Sequence, residues 1–239
     1  MTTTTAEAVA QSAPETNGSV KIRAGRLLNV LVNAALFAST DSTLPVLCCV
    51  QLTVSGKYLV GGATDRYALA YVKAELEEDG TGEAFRAVVP TAALKSLTPV
   101  LKAAARIDDT VTLAVEGATL LYQTAESTGT VSLHDAEAFP KIGSLVDSAA
   151  ANIAGPVELS TVPLISVDPG LLARVGKVKD HRGKGDPTRS YGKVPVGILA
   201  QGDPRKAVYW ALEDWARGLI MPVRRDDYSP EAVIGAWNA

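Results

Sequence analysis

An internal repeat limits the fold of this chain more than any other feature of its sequence. Three segments, which begin near Val20, Ala84 and Pro163, share one plan: a short strand, a turn-like break and an apolar-periodic helix. After each helix come alternating apolar residues, broken by glycine turns such as "SGK" and "EGA", a pattern typical of antiparallel hairpins. The sequence therefore predicts an α+β fold in which a strand–helix–strands unit is used three times.

These units suggest a division of the chain. We expect residues 1–19 to form a disordered tail and residues 20–145 to form one domain of two units. Residues 146–156, rich in Ala, Ser and Gly, are interpreted as a linker. Residues 157–225 then form a half-size domain of one unit, and residues 226–239 an appended tail.

Composition excludes several classes of protein. The chain has 239 residues, of which 47% are hydrophobic, so it is long enough to bury a core. It has no signal peptide and no run of roughly eighteen apolar residues, which excludes a membrane span. Its two cysteines, Cys48 and Cys49, are adjacent, which suits neither an ordinary disulfide nor a metal site. We therefore expect a cytoplasmic protein with reduced thiols.

Charge is segregated along the chain although the net charge is only −3. The predicted helices, residues 23–38, 90–106 and 169–179, contain eight basic residues and no acidic ones. The other fifteen of the 23 basic residues and all 26 acidic residues lie elsewhere. The eight basic residues are Arg23, Arg26, Lys95, Lys102, Arg106, Arg174, Lys177 and Lys179.

The second helix shows the clearest separation of faces. At 100° per residue, Lys95, Lys102 and Arg106 fall within about 40° of one another, and the leucines lie roughly 130° away. On the first helix, Arg26 is on the face opposite Leu27, and we expect it to point outward with Asn29 and Asn33. The third helix is less clear, because Arg174 and Lys179 flank its apolar face.

Two explanations fit these helices. A surface helix often carries lysines that only meet solvent. Three acid-free helices in repeated positions favour the second explanation, a polyanion that faces all of them. Few aromatic residues are present to stack on bases, so we expect a sequence-independent contact with the backbone of duplex DNA.

Four stretches resemble one known family. They are "TLPVLCCVQL" (43–52), "ATDRYALA" (63–70), "FPKIGSL" (139–145) and "LIMPVRR" (219–225). Together they are similar to the bacterial DNA polymerase III beta sliding clamp and its viral relatives. The stretch 163–175 also resembles the strand and helix that open the last half of that family's third domain. The matches cover most of the chain in the family's order, except that the family's C-terminal motif is followed here by further residues.

The resemblance implies a DNA-clamp fold of repeated units, with helices that line a central hole and antiparallel sheets outside. It implies that the protein encircles duplex DNA and tethers a replicative polymerase as a processivity factor, without catalysis or a cofactor. The further partners it implies are a clamp loader, which binds through a short linear peptide, and other copies of the chain. Family subunits contain six units and close a ring of twelve, so three units per chain would need four copies. A tetrameric ring, a smaller or differently closed ring, and a trimer with a cryptic fourth half-domain all stay open.

The resemblance also implies a peptide-binding groove between the last two domains. Its residues here would be Leu47, Thr64, Arg66, Tyr67, Leu69, Pro140, Leu145, Leu219, Ile220, Met221, Pro222, Val223 and Arg224. One departure is Ala68, which stands where the family usually has an arginine. Another is the segment "AVIGAW" (232–237), for which two places stay open: over the groove, or at a new contact.

Rival functions have less support. An enzyme is disfavoured because His134 and His181 are far apart in sequence and no metal, nucleophile or phosphate-loop motif is present. Asp65 is expected to cap a turn or to form an ion pair. The alternative function is a non-ring protein of clamp fold that binds replication factors, but it would not need positive helices. The loop 180–193 is expected either to be solvated or to add a flexible DNA contact.

Overall fold

We analysed a computed structural model of the chain. Residues 1–15 of the predicted N-terminal tail, residues 191–193 of the predicted loop and the predicted tail 226–239 lie outside its described part. Residues 16–19, also predicted as disordered tail, belong to a strand. The residues that the structure describes are 16–77, 85–153, 165–190, 194–201, 203 and 205–223.

The first two units follow the predicted plan. Each has a strand, a helix and three further strands, as the alternating and helical periodicities indicated. Helix α1 begins directly after β1, a short 3-10 helix (Thr91–Ala93) separates β5 from α2, and neither helix has a side-chain cap among the described residues. Unit 1 comprises β1 (Thr16–Arg23), α1 (Ala24–Ala35), β2 (Cys49–Ser55), β3 (Tyr58–Thr64) and β4 (Ala68–Glu75). Unit 2 comprises β5 (Arg86–Pro90), α2 (Leu94–Arg106), β6 (Thr110–Glu116), β7 (Thr119–Gln123) and β8 (Thr128–Ser132).

Unit 3 is less complete within the described residues. Its helix begins at Pro169, where Asp168 caps the first turn through its side chain. That helix ends at Val175, four residues earlier than the sequence predicted. The first strand of the unit is represented by one bridge, between Val167 and Pro222. The elements of unit 3 are α4 (Pro169–Val175), β9 (Val196–Leu199), β10 (Val208–Leu212) and β11 (Ala216–Ile220).

The strands form two antiparallel sheets that exchange their first strands. One sheet has the order β1-β6-β7-β8 and the other β5-β2-β3-β4-β11-β10-β9. Strand β1 of unit 1 therefore lies in the sheet of unit 2, and β5 of unit 2 lies beside β2 of unit 1. Unit 3 joins the same seven-stranded sheet because β11 pairs with β4. This pairing connects parts of the chain that are about 150 residues apart.

The seven-stranded sheet is covered on both faces. Alternate side chains of β4 and β11, such as Ala70 and Ile220, pack into the large core beneath α1 and α2. Their neighbours Leu69 and Leu219 point to the opposite face and pack with Ile142 in a smaller core. Helices α1 and α2 thus lie on one side of the sheets, as the fold class predicted.

The smaller core is completed by a helix that the sequence interpretation missed. Helix α3 (Ile142–Ile153) includes most of the predicted linker 146–156, whose last three residues lie outside the described part. Val146 and Ala149 are buried against the sheet, at the three-to-four-residue spacing of a helix face. The composition was read as linker-like, but its alanines favour a helix and its apolar residues have a sheet to cover.

The polar face of α1 is buried, which contradicts its predicted outward orientation. Asn33 Nδ2 donates to the Lys179 carbonyl at 2.7 Å, and the amide of His181 donates to Asn29 Oδ1 at 2.9 Å. Arg26 Nε donates to Asp186 Oδ2 at 2.7 Å, and this guanidinium also contacts Glu77. The segment after α4 therefore lies over α1, and a helical wheel cannot foresee a cover that comes from so far along the chain.

The predicted loop 180–193 is folded as far as Ser190. Asp180 forms an ion pair with Arg182, whose guanidinium lies 5.4 Å from the centre of the Trp215 ring. Burial alone would raise the pKa of Asp186, but hydrogen bonds from Arg26 and Thr188 outweigh it and hold that pKa below its ordinary value. A solvated, flexible loop is therefore the wrong description for residues 180–190.

We expect Asp186→Ala to lower the free energy of unfolding by about 3 kcal/mol, because the buried Arg26 guanidinium loses a charged partner. The matched control is Glu137→Ala, whose exposed pair with Arg86 is worth less than about 1 kcal/mol. Urea unfolding of both variants measures the difference. Because the folded pKa of Asp186 is depressed, its contribution is present above the ordinary pKa of an aspartate, about 4, and is lost as the pH falls through the folded value. Equal effects of the two substitutions would contradict this role.

Candidate functional sites: a basic helix face and an apolar groove

Helix α2 carries an exposed basic face in the predicted orientation. Lys95, Lys102 and Arg106 are exposed, whereas Leu97 and Leu101 on the opposite face are buried in the large core. Among the described residues, none of these three cations has an ion-pair partner. The face therefore keeps its full positive charge for an external anion.

The other predicted cations divide into paired and exposed residues. Arg23 pairs with Glu77 and Asp108, and Arg174 pairs with Asp65, so these two and the buried Arg26 are already neutralised. The prediction that these three arginines contact phosphates is therefore corrected, because each of them already pairs with an acidic residue that is distant in sequence. Lys177 and Lys179 are exposed, just beyond the end of α4.

The segment that covers α1 adds charge beside the α2 face. Burial lowers the pKa of His181, and the positive charge of Lys102 lowers it further, with a smaller effect from Lys179. A Cβ atom on Gly183 of this segment would lie 3.5 Å from the Ala105 carbonyl oxygen, so the segment lies next to α2. Lys184 in the same segment is also exposed.

An apolar groove of about 430 Å³ lies at the junction of β4, β11 and α3. Three large apolar side chains stand open to solvent in it: Tyr67 is 59% exposed, Leu145 55% and Met221 44%. The predicted groove residues that line it are Thr64, Arg66, Tyr67, Leu69, Pro140, Leu145, Leu219 and Met221. The structure thus brings together residues that are up to 157 positions apart in the chain.

Four of the described residues that were predicted for the groove do not line it. Leu47 and Ile220 are buried in the cores, because their side chains point into the protein from their short helix and strand. Pro222 pairs with the first strand of unit 3, and Val223 is exposed beyond it. Arg224 lies outside the described residues, as does the segment 232–237.

Sequence reasoning missed the residues that form the other wall. The α3 residues were assigned to a linker, although the spacing of Ile142, Val146 and Ala149 was a usable signal. The segment between β9 and β10 has no periodic pattern, so no signal was available there. The missed lining residues are Ala68, Ile142, Ser148, Ala149, Asn152, Gln201, Arg205, Lys206 and Ala207.

A capped turn holds the edge of the groove. The side chain of Asp65 accepts hydrogen bonds from the amides of Tyr67 and Ala68 at 2.9 and 2.8 Å, and its other oxygen pairs with Arg174. Arg66 has a left-handed backbone, with φ of 81°, which closes the turn and leaves Tyr67 projecting outward. The predicted capping role of Asp65 is therefore confirmed, and α4 supplies its ion-pair partner.

The lining of the groove defines what it can bind. Its charged members, Arg66, Arg205 and Lys206, are all cationic and exposed, and no acidic side chain lines the described part. An exposed apolar surface of this kind fits a few apolar anchors, and the cations favour a ligand with negative charge.

Neither a metal site nor a membrane-spanning helix is found in the described part of the chain. Among those residues, no group of three or more His, Cys, Asp or Glu is placed to hold a metal ion. None of the described helices has the length and hydropathy needed to cross a membrane.

Comparison with known proteins decides the family. A family model for the central domain of the DNA polymerase III beta subunit matches residues 21–141, just over half of the chain. This chain belongs to the DNA polymerase III beta subunit family. The matched region covers the first two units and ends at the start of α3.

Solved beta subunits share the fold of this family member at low sequence identity. A sliding clamp from Pseudomonas aeruginosa, bound to griselimycin, has a TM-score of 0.63 and 16% identity over 91% of this chain and 68% of that one. The beta subunit from Thermotoga maritima has a TM-score of 0.62 and 15% identity over 90% of this chain and 66% of that one. A search of curated proteins found no match. The resemblance in the sequence is therefore confirmed, and the chain spans about two thirds of these clamps.

In this beta-subunit family member the groove depends on the close approach of β11 to its neighbours. A Cβ atom on Gly218 would lie 2.1 Å from the Leu69 carbonyl oxygen and 2.7 Å from the Trp210 ring. We expect Gly218→Ala to destabilise the fold by about 3 kcal/mol and to separate β4 from β11. The control is Gly176→Ala, where the nearest atom is 3.6 Å away. Urea unfolding and hydrogen exchange at the β4 amides measure the effect, and similar stability of the two variants would contradict it.

Proposed function

We propose that copies of this chain close a ring around duplex DNA and act as a sliding clamp, a processivity factor that keeps a replicative polymerase on its template. Membership of the beta-subunit family and the clamp fold support this role. The observation that carries the proposal is the α2 face, where Lys95, Lys102 and Arg106 are exposed with no ion-pair partner among the described residues. A polyanion is the partner that such a face fits.

The proposed contact with DNA differs from the one expected from sequence. The polar face of α1 is covered by the 179–190 segment, so α1 does not present Arg26 to a phosphate. The positive lining is instead formed by α2 together with Lys177, Lys179 and Lys184, which are exposed. These cations are on long side chains and are spread over two elements of the chain.

Such a lining allows sliding. Binding through counterion release depends on the number of phosphates that are neutralised and not on the base sequence. The contacts therefore have the same energy at each position along the duplex, and a closed ring stays on DNA by topology. The role needs no catalytic group, and it places the protein in the cytoplasm with the replication machinery.

The groove is the proposed attachment point for the polymerase and the clamp loader. A short linear peptide with apolar anchors would fill the space between Tyr67, Leu145 and Met221. Met221 has a flexible and polarizable side chain, which lets one groove accept several peptides. The groove exists in a single chain, so this binding does not require the ring.

The alternative is a clamp-fold protein that binds replication factors without encircling DNA. The pairing of Arg23, Arg26 and Arg174 removes part of the positive charge that a ring would use, which is the observation in its favour. The uncompensated α2 face favours the ring, because a decoy that uses only the groove has no need of it. Retention on circular DNA separates the two.

We expect the triple variant Lys95→Glu, Lys102→Glu and Arg106→Glu to lose at least tenfold in retention on nicked circular duplex DNA. Three cations become anions on the lining, so the dependence of binding on salt should also become shallower. Gel filtration of protein with a labelled circle, before and after linearisation, measures retention and its topological origin.

The control for this experiment is a variant with the same change in charge on another surface. Lys57, Lys73 and Lys141 lie on the β2–β3 turn, on β4 and at the start of α3, and their reversal to Glu should leave retention unchanged. Undiminished retention of the α2 variant would refute the ring proposal. Equal loss in both variants would show that only net charge matters.

We expect Tyr67→Ala and Met221→Ala each to weaken peptide binding about tenfold, because each removes an exposed apolar contact of the groove. The probe is a fluorescent peptide from the C-terminal segment of the replicative polymerase, and its anisotropy reports binding. Ile107→Ala is the control, since Ile107 is exposed but lies beyond the end of α2. Unchanged affinity in the Tyr67 and Met221 variants would exclude this groove as the site.

A further inference from the structure

Units 1 and 2 complete each other by exchanging their first strands. Strand β5 of unit 2 pairs antiparallel with β2 of unit 1, with Val88 opposite Gln51. Strand β1 of unit 1 pairs in the same way with β6 of unit 2, with Ser19 opposite Ala114. Each unit therefore supplies a strand that the other lacks, and α1 packs beside α2 over the joined sheets.

Among the residues that the structure describes, unit 3 has the same parts as unit 2 but no neighbour to exchange with. In unit 2, Val88 bridges to His134, two residues after β8 ends. In unit 3, Val167 makes the equivalent bridge to Pro222, two residues after β11 ends. Within the described residues the first strand of unit 3 has no second pairing, and β9 is the last strand of the seven-stranded sheet.

The exposed apolar side chains of β9 indicate where a further strand would pair with unit 3. Strand β2, which β5 covers, is buried over its first four residues. In β9, which corresponds to β2 and β6, Ile198 is 52% exposed and Leu199 45%. Leu172 on the adjoining helix α4 is exposed as well. These three are large apolar side chains on one unit, and within the described part of the chain the edge of β9 has no pairing strand.

The pairings identify the residue of β9 that would face Val167. In unit 2, Ala114 is joined through β7 to Thr130, four residues before His134. In unit 3, Ile198 is joined through β10 to the residue of β11 that lies four places before Pro222. Ile198 therefore holds in β9 the place that Ala114 holds in β6, opposite Ser19. Ser19 lies two residues before Lys21, whose carbonyl accepts from the Glu77 amide as the Val88 carbonyl accepts from the His134 amide. By this equivalence Ile198 would face Ile165, and Val196 would face Val167.

We propose that two copies of this chain complete their third units on each other by reciprocal strand exchange. The segment 165–168 of one copy adds to the β9 edge of the second antiparallel, with Val167 opposite Val196 and Ile165 opposite Ile198, and the second copy returns the same contact. The occupant of the free edge is thus a second copy of this chain. The argument for it is the identical exchange that joins units 1 and 2.

A two-fold pairing of this kind is self-complementary and closes without further copies. The pair contains six units, half of the twelve in the ring that the family resemblance implies. Leu172 of each copy would then lie at the pairing of the two α4 helices, the place that α1 and α2 share in the complete domain. The inference rests on the proposed ring only for its role on DNA, because the exchange itself needs no DNA.

Disulfide cross-linking tests the register. The double variant Val167→Cys, Val196→Cys, with the half-buried Cys48 changed to Ser, should form a covalent dimer under mild oxidation. Opposed residues in an antiparallel pair have Cα atoms about 4.5 to 5.5 Å apart, within reach of a disulfide. The register control is Val167→Cys, Ile198→Cys, because two residues along β9 add about 7 Å and prevent the bond. Failure of the first pair to cross-link, or equal cross-linking of both, overturns the proposed register.

Native mass tests the interface by a second route. The wild-type chain should have a mass that is an even multiple of 24.9 kDa, and Ile198→Asp should lower that mass at least twofold. Ile107→Asp, which also places a charge on an exposed isoleucine, should leave it unchanged. Circular dichroism shows whether Ile198→Asp remains folded, and if it does not, the cross-linking result decides. A wild-type monomer, or an Ile198→Asp protein of unaltered mass, overturns the proposal.

These outcomes are separable from those of the proposed function. If the exchange is wrong but the ring is right, the cross-link fails while the α2 variant still loses retention on circular DNA. If the ring is wrong but the exchange is right, the cross-link forms while the α2 variant and its charge-matched control behave alike.

Discussion

The pairing of β4 with β11 is the interaction on which the rest of the structure depends. It joins the last strand of unit 1 to the last strand of unit 3 and so makes one seven-stranded sheet from distant parts of the chain. Leu69 and Leu219 face each other across it and form the floor on which α3 packs. The groove exists only because of this pairing, since it lies where the two joined strands meet α3. Gly218 permits it, because any side chain there would meet the neighbouring backbone.

Buried charge explains why the positive surface is smaller than the segregation of charge suggests. Arg26 is almost fully buried and is held by Asp186 and Glu77, so its charge stabilises the cover over α1. An unpaired guanidinium in that place would cost several kcal/mol, which fixes the 179–190 segment on the helix. The same segment brings Lys179 and Lys184 toward the α2 face. The chain thus keeps a cationic surface, but its members come from a helix and a folded segment instead of three helices.

Much of the architecture follows from local patterns. The three units, their helices and their hairpins are visible in the sequence because periodicity of 3.6 or 2 records which side of an element is buried. The outward face of α2 was predictable for the same reason, since its leucines and its cations are on opposite sides of one helix. Helix α3 was also predictable from its apolar spacing. Its composition, rich in Ala, Ser and Gly, is typical of a linker and led to the wrong prediction. Eight groove residues followed from the motifs that carry the family resemblance, whereas the wall contributed by the 201–207 segment has no pattern to reveal it.

The sequence by itself determined the repeated unit, the α+β class, the family and the orientation of α2, because each of these is recorded in short-range order along the chain. Only the tertiary structure decided which cations are free, that α1 is covered, and that the groove has a helix as its second wall. These features depend on pairs such as Arg26 with Asp186, which are 160 residues apart. Charge and polarity indicate which residues need a partner. Which residue becomes that partner depends on how the strands pair and on which segment then lies across the helix. That choice is a property of the packed sheet and not of any single stretch of sequence.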